Sequence, residues 1–260
     1  MQPISVRAGR ASLGTLVFAL SLLCAQSASA LDLSRLRPIT ASGTGSGTVV
    51  TETRNVGHFD ALKLSTGARV VIRQGEHYSV EVRAEGNVAP LIDTYVEDRT
   101  LVVEDNNHYK SPNAEVLVTV RHIRSIKTTG SVAVVAEGLN APALSLSMGG
   151  SSALVLKSVS VAKLNAALGG SSALKVSGVA EDFLAALGGS SALQAAELEA
   201  NSVSVSGGGS AKAIVWAKQS LRISLGGSSS VSYYGNLSPT LSTSGAATVK
   251  SLGSAPPKQQ

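Results

Sequence analysis

The feature that most limits what this chain can fold into is a phrase it repeats. "GGSSAL" is written at Gly149, at Gly169 and at Gly188, with looser copies on either side. Taking the second glycine of each pair, or its equivalent, as an anchor gives Gly130, Gly150, Gly170, Gly189, Gly207, Gly227 and Gly245. Consecutive anchors are separated by roughly 18–20 residues, and a sustained period of that length marks a solenoid, in which each repeat packs on its neighbours. Even offsets from the anchor are apolar or slim. Four residues before it stand Ile126, Leu146, Ala166, Ala185, Val203, Ile223 and Leu241, and two after it stand Val132, Ser152, Ser172, Ser191, Gly209, Ser229 and Ala247. Odd offsets hold Ser151, Ser171, Ser190 and Ser228, with Ala153, Ala173, Ala192 and Ser230 two positions on. Alternation with period two means strands with unlike faces. About 19 residues leave room for two or three short strands per turn and no helix. The chain is therefore read as all-β, a parallel β-helix with rungs of about 19 residues. In this reading the anchor glycines and the serines two residues after them face inward. The serines then bond to one another or to backbone, as buried hydroxyls require.

The remaining segments frame this body. Residues 1–30 read as a signal peptide: Arg7 and Arg10, an apolar run from Leu16 to Ala25, and "SASA" ending at Ala30 with small-residue cleavage spacing. Residues 31–55 read as a flexible Gly/Ser/Thr-rich linker, with order starting near Val56. Residues 56–125 alternate with period two in segments such as "ARVVIRQG" and "EVLVTVRHI", and are expected to form or cap the first turns. "NVAPLIDTYVED" from Asn87 reads as a turn with one short helical or extended piece. Residues 126–252 are the repeat rungs, and 253–260 a disordered tail. Removing the signal removes the only cysteine, Cys24, so disulfides and thiol chemistry are excluded. The signal also holds two of the 22 basic residues and none of the 17 acids, leaving a net charge of +3. That balance, without a basic cluster, argues against nucleic acid. No later stretch is long enough to span a membrane as a helix.

Chemistry is sparse. A phosphate loop needs a lysine and a helix after its glycines, and here Ala-Leu and a strand follow. A calcium β-roll needs an Asp where Ser151, Ser171, Ser190 and Ser228 stand. His58, His77, His108 and His122 lie far apart in the chain, and their spacing matches no metal motif. The nearest approach to an acid pair is Glu181 and Asp182 with Glu197 and Glu199 one rung on. Gathered in one cleft, they would favour a polysaccharide lyase or hydrolase. Trp216, Tyr233 and Tyr234 stand out in a chain with 3% aromatics, as a sugar-stacking platform or a cap over the last rungs. Ser151, Ser171, Ser190 and Ser228, with the outward alanines, form an uncharged strip suited to a partner or a second copy. No catalytic residue, cofactor or metal is expected.

The order of these elements resembles the head GIN domain family, the head region of bacterial auto-transporter adhesins. The likeness is carried by "RNVGHFDALKLSTGARVVIRQGEHYSVEVRAEGN", "IDTYVEDRTLVVED", "VTVRHIRSIKTTGSVAVVAEGL", the Gly-Ser repeats and "VSYYGNLSPTLSTSGAATVKSL", across residues 53–252. The resemblance implies a right-handed parallel β-helix and a cell-envelope or extracellular location. It brings no catalytic residues. No membrane barrel follows the repeats, so self-secretion is not expected. The resulting expectation is an exported, non-enzymatic interaction module in the periplasm, at the surface or secreted. Its partner would be an envelope glycan, a protein or a second copy. The alternatives are a carbohydrate-active enzyme and a periplasmic structural or homo-oligomeric module.

Overall fold

The computed structural model describes residues 43–45, 47–105 and 109–257. The expected signal peptide, the linker up to residue 42, His108 and the last three residues of the tail lie outside them. Nearly all of the described chain is strand. The first half holds β1 (Gly43–Thr44), β2 (Val49–Arg54), β3 (Ala61–Ser65), β4 (Arg69–Gln74), β5 (Ser79–Glu85), β6 (Ile92–Glu97), β7 (Thr100–Asp105), β8 (Tyr109–Lys110) and β9 (Glu115–Val120). The second half holds β10 (Ser125–Thr128), β11 (Ala133–Glu137), β12 (Asn140–Met148), β13 (Ala153–Leu168), β14 (Ala173–Leu187), β15 (Ala192–Gly207), β16 (Lys212–Leu225), β17 (Ser230–Tyr234), β18 (Thr240–Thr243) and β19 (Thr248–Ser251).

From β10 onward every pairing is parallel, as a β-helix requires, with register shifts within the long strands, as between Leu156 and Val159 and between Ala195 and Glu199. Each complete turn has three sides. In β13 the in-out alternation is broken at two exposed pairs, Lys157–Ser158 and Ala162–Lys163, and these are corners. They leave a long side at Ala153–Lys157, a short side at Val159–Val161 and a second long side at Lys163–Leu168. Inward side chains stack in columns such as Val134, Leu154, Leu174, Leu193, Ala213, Val231 and Val249. Burying one Leu or Val fully is worth about 1.5–3 kcal/mol, so a largely aliphatic core holds the coil, with Phe59, Phe183 and Tyr233 its buried aromatics among the described residues.

The third corner is the repeated phrase itself, and here the structure corrects the sequence reading. Gly149 to Ser152 are not a strand segment, and the anchor glycines do not face inward. Gly150, Gly170, Gly189, Gly227 and Gly245 are exposed in the turn, with φ between 68° and 74°. The reason for glycine is vertical. A Cβ on Gly170 would lie 2.5 Å from the carbonyl oxygen of Gly150 below it. The fifth rung is also corrected: Gly209, not Gly207, stacks on Gly189, where a Cβ would meet its oxygen at 2.6 Å. This slip by an even step preserved parity, so the inward and outward faces came out right while the register did not.

Ser152, Ser172, Ser191 and Ser229 are buried as expected, but they form no serine ladder. Ser152 donates to the Gly149 carbonyl at 3.1 Å and accepts from Thr128 Oγ1 at 2.9 Å. Ser229 donates to the Gly226 carbonyl at 2.6 Å. The hydroxyls of Ser172 and Ser191 have no partner among the described residues.

The N-terminal part both forms and caps the first turns. Its rungs are out of chain order. The β3–β4 rung lies between the later β7–β9 rung and the β10–β11 rung. Below them the parallel stack ends in antiparallel strands: β6 on β7, β5 on β9 and β2 on β5. Order thus begins before Val56. The edge strand β2 buries little, and its Thr, Glu and Arg residues give no apolar alternation to read. Asn87–Asp98, expected to hold one short helical or extended piece, contains one of each, a single 3-10 turn at Ala89–Leu91 and then β6. Asp60 ties the reordered rungs. Its carboxylate meets Arg99 at 2.6 Å and Arg124 at 2.6 Å, one from the rung on either side.

Candidate functional site

The serine strip is where the repeat pattern puts it. Ser151, Ser171, Ser190 and Ser228 are exposed at the glycine corner. Beside it runs a shallow trough of about 690 Å³ along several rungs, floored by residues such as Gly169 and Gly188 and flanked by Ser147, Ala167 and Ala186. Among the described residues no charged side chain lines it. Alternate corner amides are engaged in stacking the rungs. Gly169 N donates to Met148 O at 2.8 Å and Ser171 N to Gly150 O at 2.8 Å.

Tyr233 and Tyr234 separate. Tyr233 is buried, 9% exposed, and points into the core, so it cannot serve an outer face. Tyr234 is half-buried and outward. Its neighbours in register reveal a feature not singled out from the sequence. On the short side each rung contributes three residues, with the middle one outward. The middle residues pair in register from rung to rung: Asn140 with Ser160, Ser160 with Val179, Val179 with Glu199, Glu199 with Trp216, and Trp216 with Tyr234. At roughly 4.7–4.9 Å per rung this column spans about 24 Å. Its lower part is a groove of about 490 Å³ with Asn140, Ser160, Val179, Glu181, Glu199 and Asn201 in its wall. Val179 is 51% exposed there. Glu199 accepts a hydrogen bond from Lys218 Nζ at 2.7 Å.

The four acids do not converge in one cleft. Glu181 and Glu199 line the short-side groove, whereas Asp182 lines a different one with Leu184 and Arg222. Glu197 pairs with Lys175 at 3.1 Å and Glu199 with Lys218. Among the described histidines, His58 packs its ring 4.7 Å from that of Tyr78, while His77 and His122 are exposed. Among the described residues no group of His, Cys, Asp and Glu could hold a metal ion.

Two carboxylates are held tightly in the cap. Glu85 accepts from Ser111 Oγ and from Asn113 Nδ2 at 3.0 Å, and these two bonds hold its pKa below the ordinary value. Asp105 accepts from Thr66 Oγ1, from Gly67 N at 2.9 Å and from the Tyr109 hydroxyl at 2.8 Å. Burial, with the Asp105 carboxylate adding to it, raises the Tyr109 phenol above the ordinary tyrosine value against an opposing bond to Thr66. Both clusters fasten the segment between β7 and β9, and the Glu85 carboxyl also lies against Gly45, 2.7 Å from where a Cβ on that glycine would fall.

A parallel solenoid closed at its first end by antiparallel strands defines a class of capped parallel β-helix proteins. Over residues 58–236 the chain belongs to the family described as "Putative auto-transporter adhesin, head GIN domain". Solved structures share the fold. A "putative adhesin" from Bacteroides fragilis NCTC 9343 is 21% identical, with a TM-score of 0.72 over 80% of this chain and 99% of that one. A "Putative lipid binding protein" from Parabacteroides distasonis ATCC 8503 is 17% identical, with a TM-score of 0.66 over 80% and 98%. A "putative adhesin" from Parabacteroides merdae ATCC 43184 is also 17% identical, with a TM-score of 0.64 over 81% and 98%. No curated protein matches the chain. No helix among the described residues is long and apolar enough to cross a membrane.

Proposed function

We propose that this protein is an exported, non-catalytic binding module of the cell envelope or cell surface, of the adhesin type. The observation that carries the reading is membership of the adhesin-head family over residues 58–236. The engagement of the acids supports the non-catalytic part. A glycoside-cleaving site needs two carboxyl groups free to flank one bond. Glu181 and Glu199 share the short-side groove, but Glu199 is held by Lys218 at 2.7 Å and Asp182 lines a different groove. Export is supported by the N-terminal pattern, with cleavage after Ala30.

The test uses the full chain expressed in a bacterial host. N-terminal sequencing should find Leu31 first, and intact cells or their envelope fraction should retain the purified mature protein. Incubation with polysaccharides should release no reducing ends. Cytoplasmic retention of an uncleaved chain, or turnover that Glu199→Gln abolishes, would overturn the proposal.

A further inference from the structure

We infer that the short-side column from Asn140 to Tyr234 is a binding groove for a neutral glycan chain lying along the solenoid axis. This rests on the binding-module reading and names its ligand class. Three observations converge on one side of the coil. First, the chain's only tryptophan and one of its five tyrosines are outward, half-buried and paired in register on adjacent rungs. Trp216 sits between buried Val215 and Ala217, and Tyr234 follows buried Tyr233. Two such faces on adjacent rungs suit the apolar faces of successive sugar rings. Second, the same column continues into a groove whose wall carries an amide, a hydroxyl and a carboxylate: Asn140, Ser160 and Glu199. Asn201 and Glu181 lie alongside. Carboxylates and amides that accept and donate in pairs match the vicinal hydroxyls of a sugar. Third, exposed Val179 gives the groove an apolar floor between its polar groups, the mixture that small-ligand sites use.

Charge selects among glycans. Glu181 and Glu199 face the groove, and Lys218 is engaged by Glu199. A uronate or sulfated chain would meet carboxylates, with no lysine or arginine among the described residues that line the groove. Hexose or N-acetylhexosamine chains therefore fit and acidic ones do not. The site also repeats with the rungs. A polymer running along the axis meets one outward residue per rung, at the spacing that the parallel stack imposes.

The single tryptophan makes the site self-reporting. Mature protein is titrated with cellohexaose, with N-acetylglucosamine hexamer and with a hexamer of galacturonate, following intrinsic fluorescence. A saturable shift is expected with at least one neutral hexamer and none with galacturonate. Tyr234→Ala and Glu199→Gln should each weaken that binding about tenfold, as one lost stacking or charge-assisted contact does. Trp216→Ala should abolish it by calorimetry, and Ser171→Ala at the glycine corner should leave it unchanged. Circular dichroism and the unfolding midpoint identify any variant whose loss is loss of fold, and Glu199→Gln keeps the side-chain volume. Binding that survives both Tyr234→Ala and Glu199→Gln overturns the assignment. So does a silent tryptophan with both neutral hexamers. If cells or envelopes still retain such a silent protein, the glycan inference falls alone and the binding module stands; if they do not, both fall.

Discussion

The N-terminal cap and the repeat body stack strands in two different ways. In the body, each strand lies on its counterpart in the preceding rung, and the rungs are joined at the corner mainly by backbone, with the hydroxyls of Ser152 and Ser229 bonding the corner carbonyls of Gly149 and Gly226 within their own turns. Gly169 N, Ser171 N and Ala173 N all donate one rung down. In the cap, spatial neighbours are not successive in the chain: β3 lies between β7 and β10. There side chains do the joining. Asp60 clamps Arg99 and Arg124, and Gln74 donates to the carbonyls of Arg121 and Asn140 at 2.8 and 3.1 Å. The lesson is one of specification. A constant period selects its own register through close backbone stacking. An interleaved order must be marked by charges and amides that only one arrangement satisfies.

The largest break in this contrast comes from the body's corner. Gly170→Ala places a Cβ against the Gly150 oxygen and forces a left-handed conformation on alanine. The expected cost is about 2 kcal/mol or more. Gly207→Ala is the control. Its Cβ would crowd the Cδ2 end of Leu225, at 2.9 Å, a side chain that can shift, and touch Ser229 at an ordinary 3.8 Å. That change should cost under about 1 kcal/mol. Denaturant unfolding of both reads the difference. Equal costs would show that Gly209 is not the stacked glycine of its rung.

In the cap the corresponding break is Asp60→Asn, which removes one carboxylate from two arginines. The expected loss is about 1–2 kcal/mol, smaller at high salt because Arg99 and Arg124 are largely exposed. Hydrogen exchange should rise in β3, β7 and β10 and stay unchanged in β14 and β15. A uniform rise through the body would show that the two regions are one cooperative unit rather than two.

How much of this was legible follows the same division. The inward faces of the body could be read because parity is all they need; the slip at Gly207 left Val203, Val205 and Ala211 on the correct side. The positive φ of the anchors could not be read, since an inward glycine and a turn glycine obey the same spacing. The short-side column was hidden for another reason. Its members do not keep one interval along the chain, because β15 holds extra residues between Ala195 and Glu199 that β16 lacks. A trace was present: an apolar residue, a variable one and a small one recur at Leu139–Ala141, Leu198–Ala200 and Val215–Ala217. The rung order of the cap left no trace in periodicity, for it depends on pairings such as Asp60 with Arg99 that no local pattern announces.

Acid sharpens the contrast in one direction. The bonds from Ser111 and Asn113 lower the Glu85 pKa. A depressed folded-state pKa adds stability above the unfolded value, and that stability is lost as pH falls through the folded one. The cap should therefore loosen below the ordinary carboxylate range, with exchange rising at Gly45 and Ser111 before the body responds. Glu85→Gln should flatten that pH dependence. An unchanged acid profile would place the sensitivity elsewhere, with Asp105 as the next carboxylate to replace.

The smallest expected effects lie in one column of the body and have opposite signs. Ser152 and Ser172 are the same residue at the same position of adjacent rungs, both 1% exposed. Ser152 sits at the boundary with the cap and is bonded on both sides, by Thr128 and to Gly149. Ser152→Ala strands the Thr128 hydroxyl in the core and should cost about 1 kcal/mol. Ser172 lies one rung further in, where the column above it is serine again and no described residue accepts its proton. Ser172→Ala removes a buried, unpartnered hydroxyl without opening a large void, so it should be neutral or stabilise by about 0.5–1 kcal/mol. Thermal unfolding of the pair decides the point. Equal destabilisation would mean that Ser172 has a partner, such as a buried water, and that the body too relies on polar side chains to hold its register.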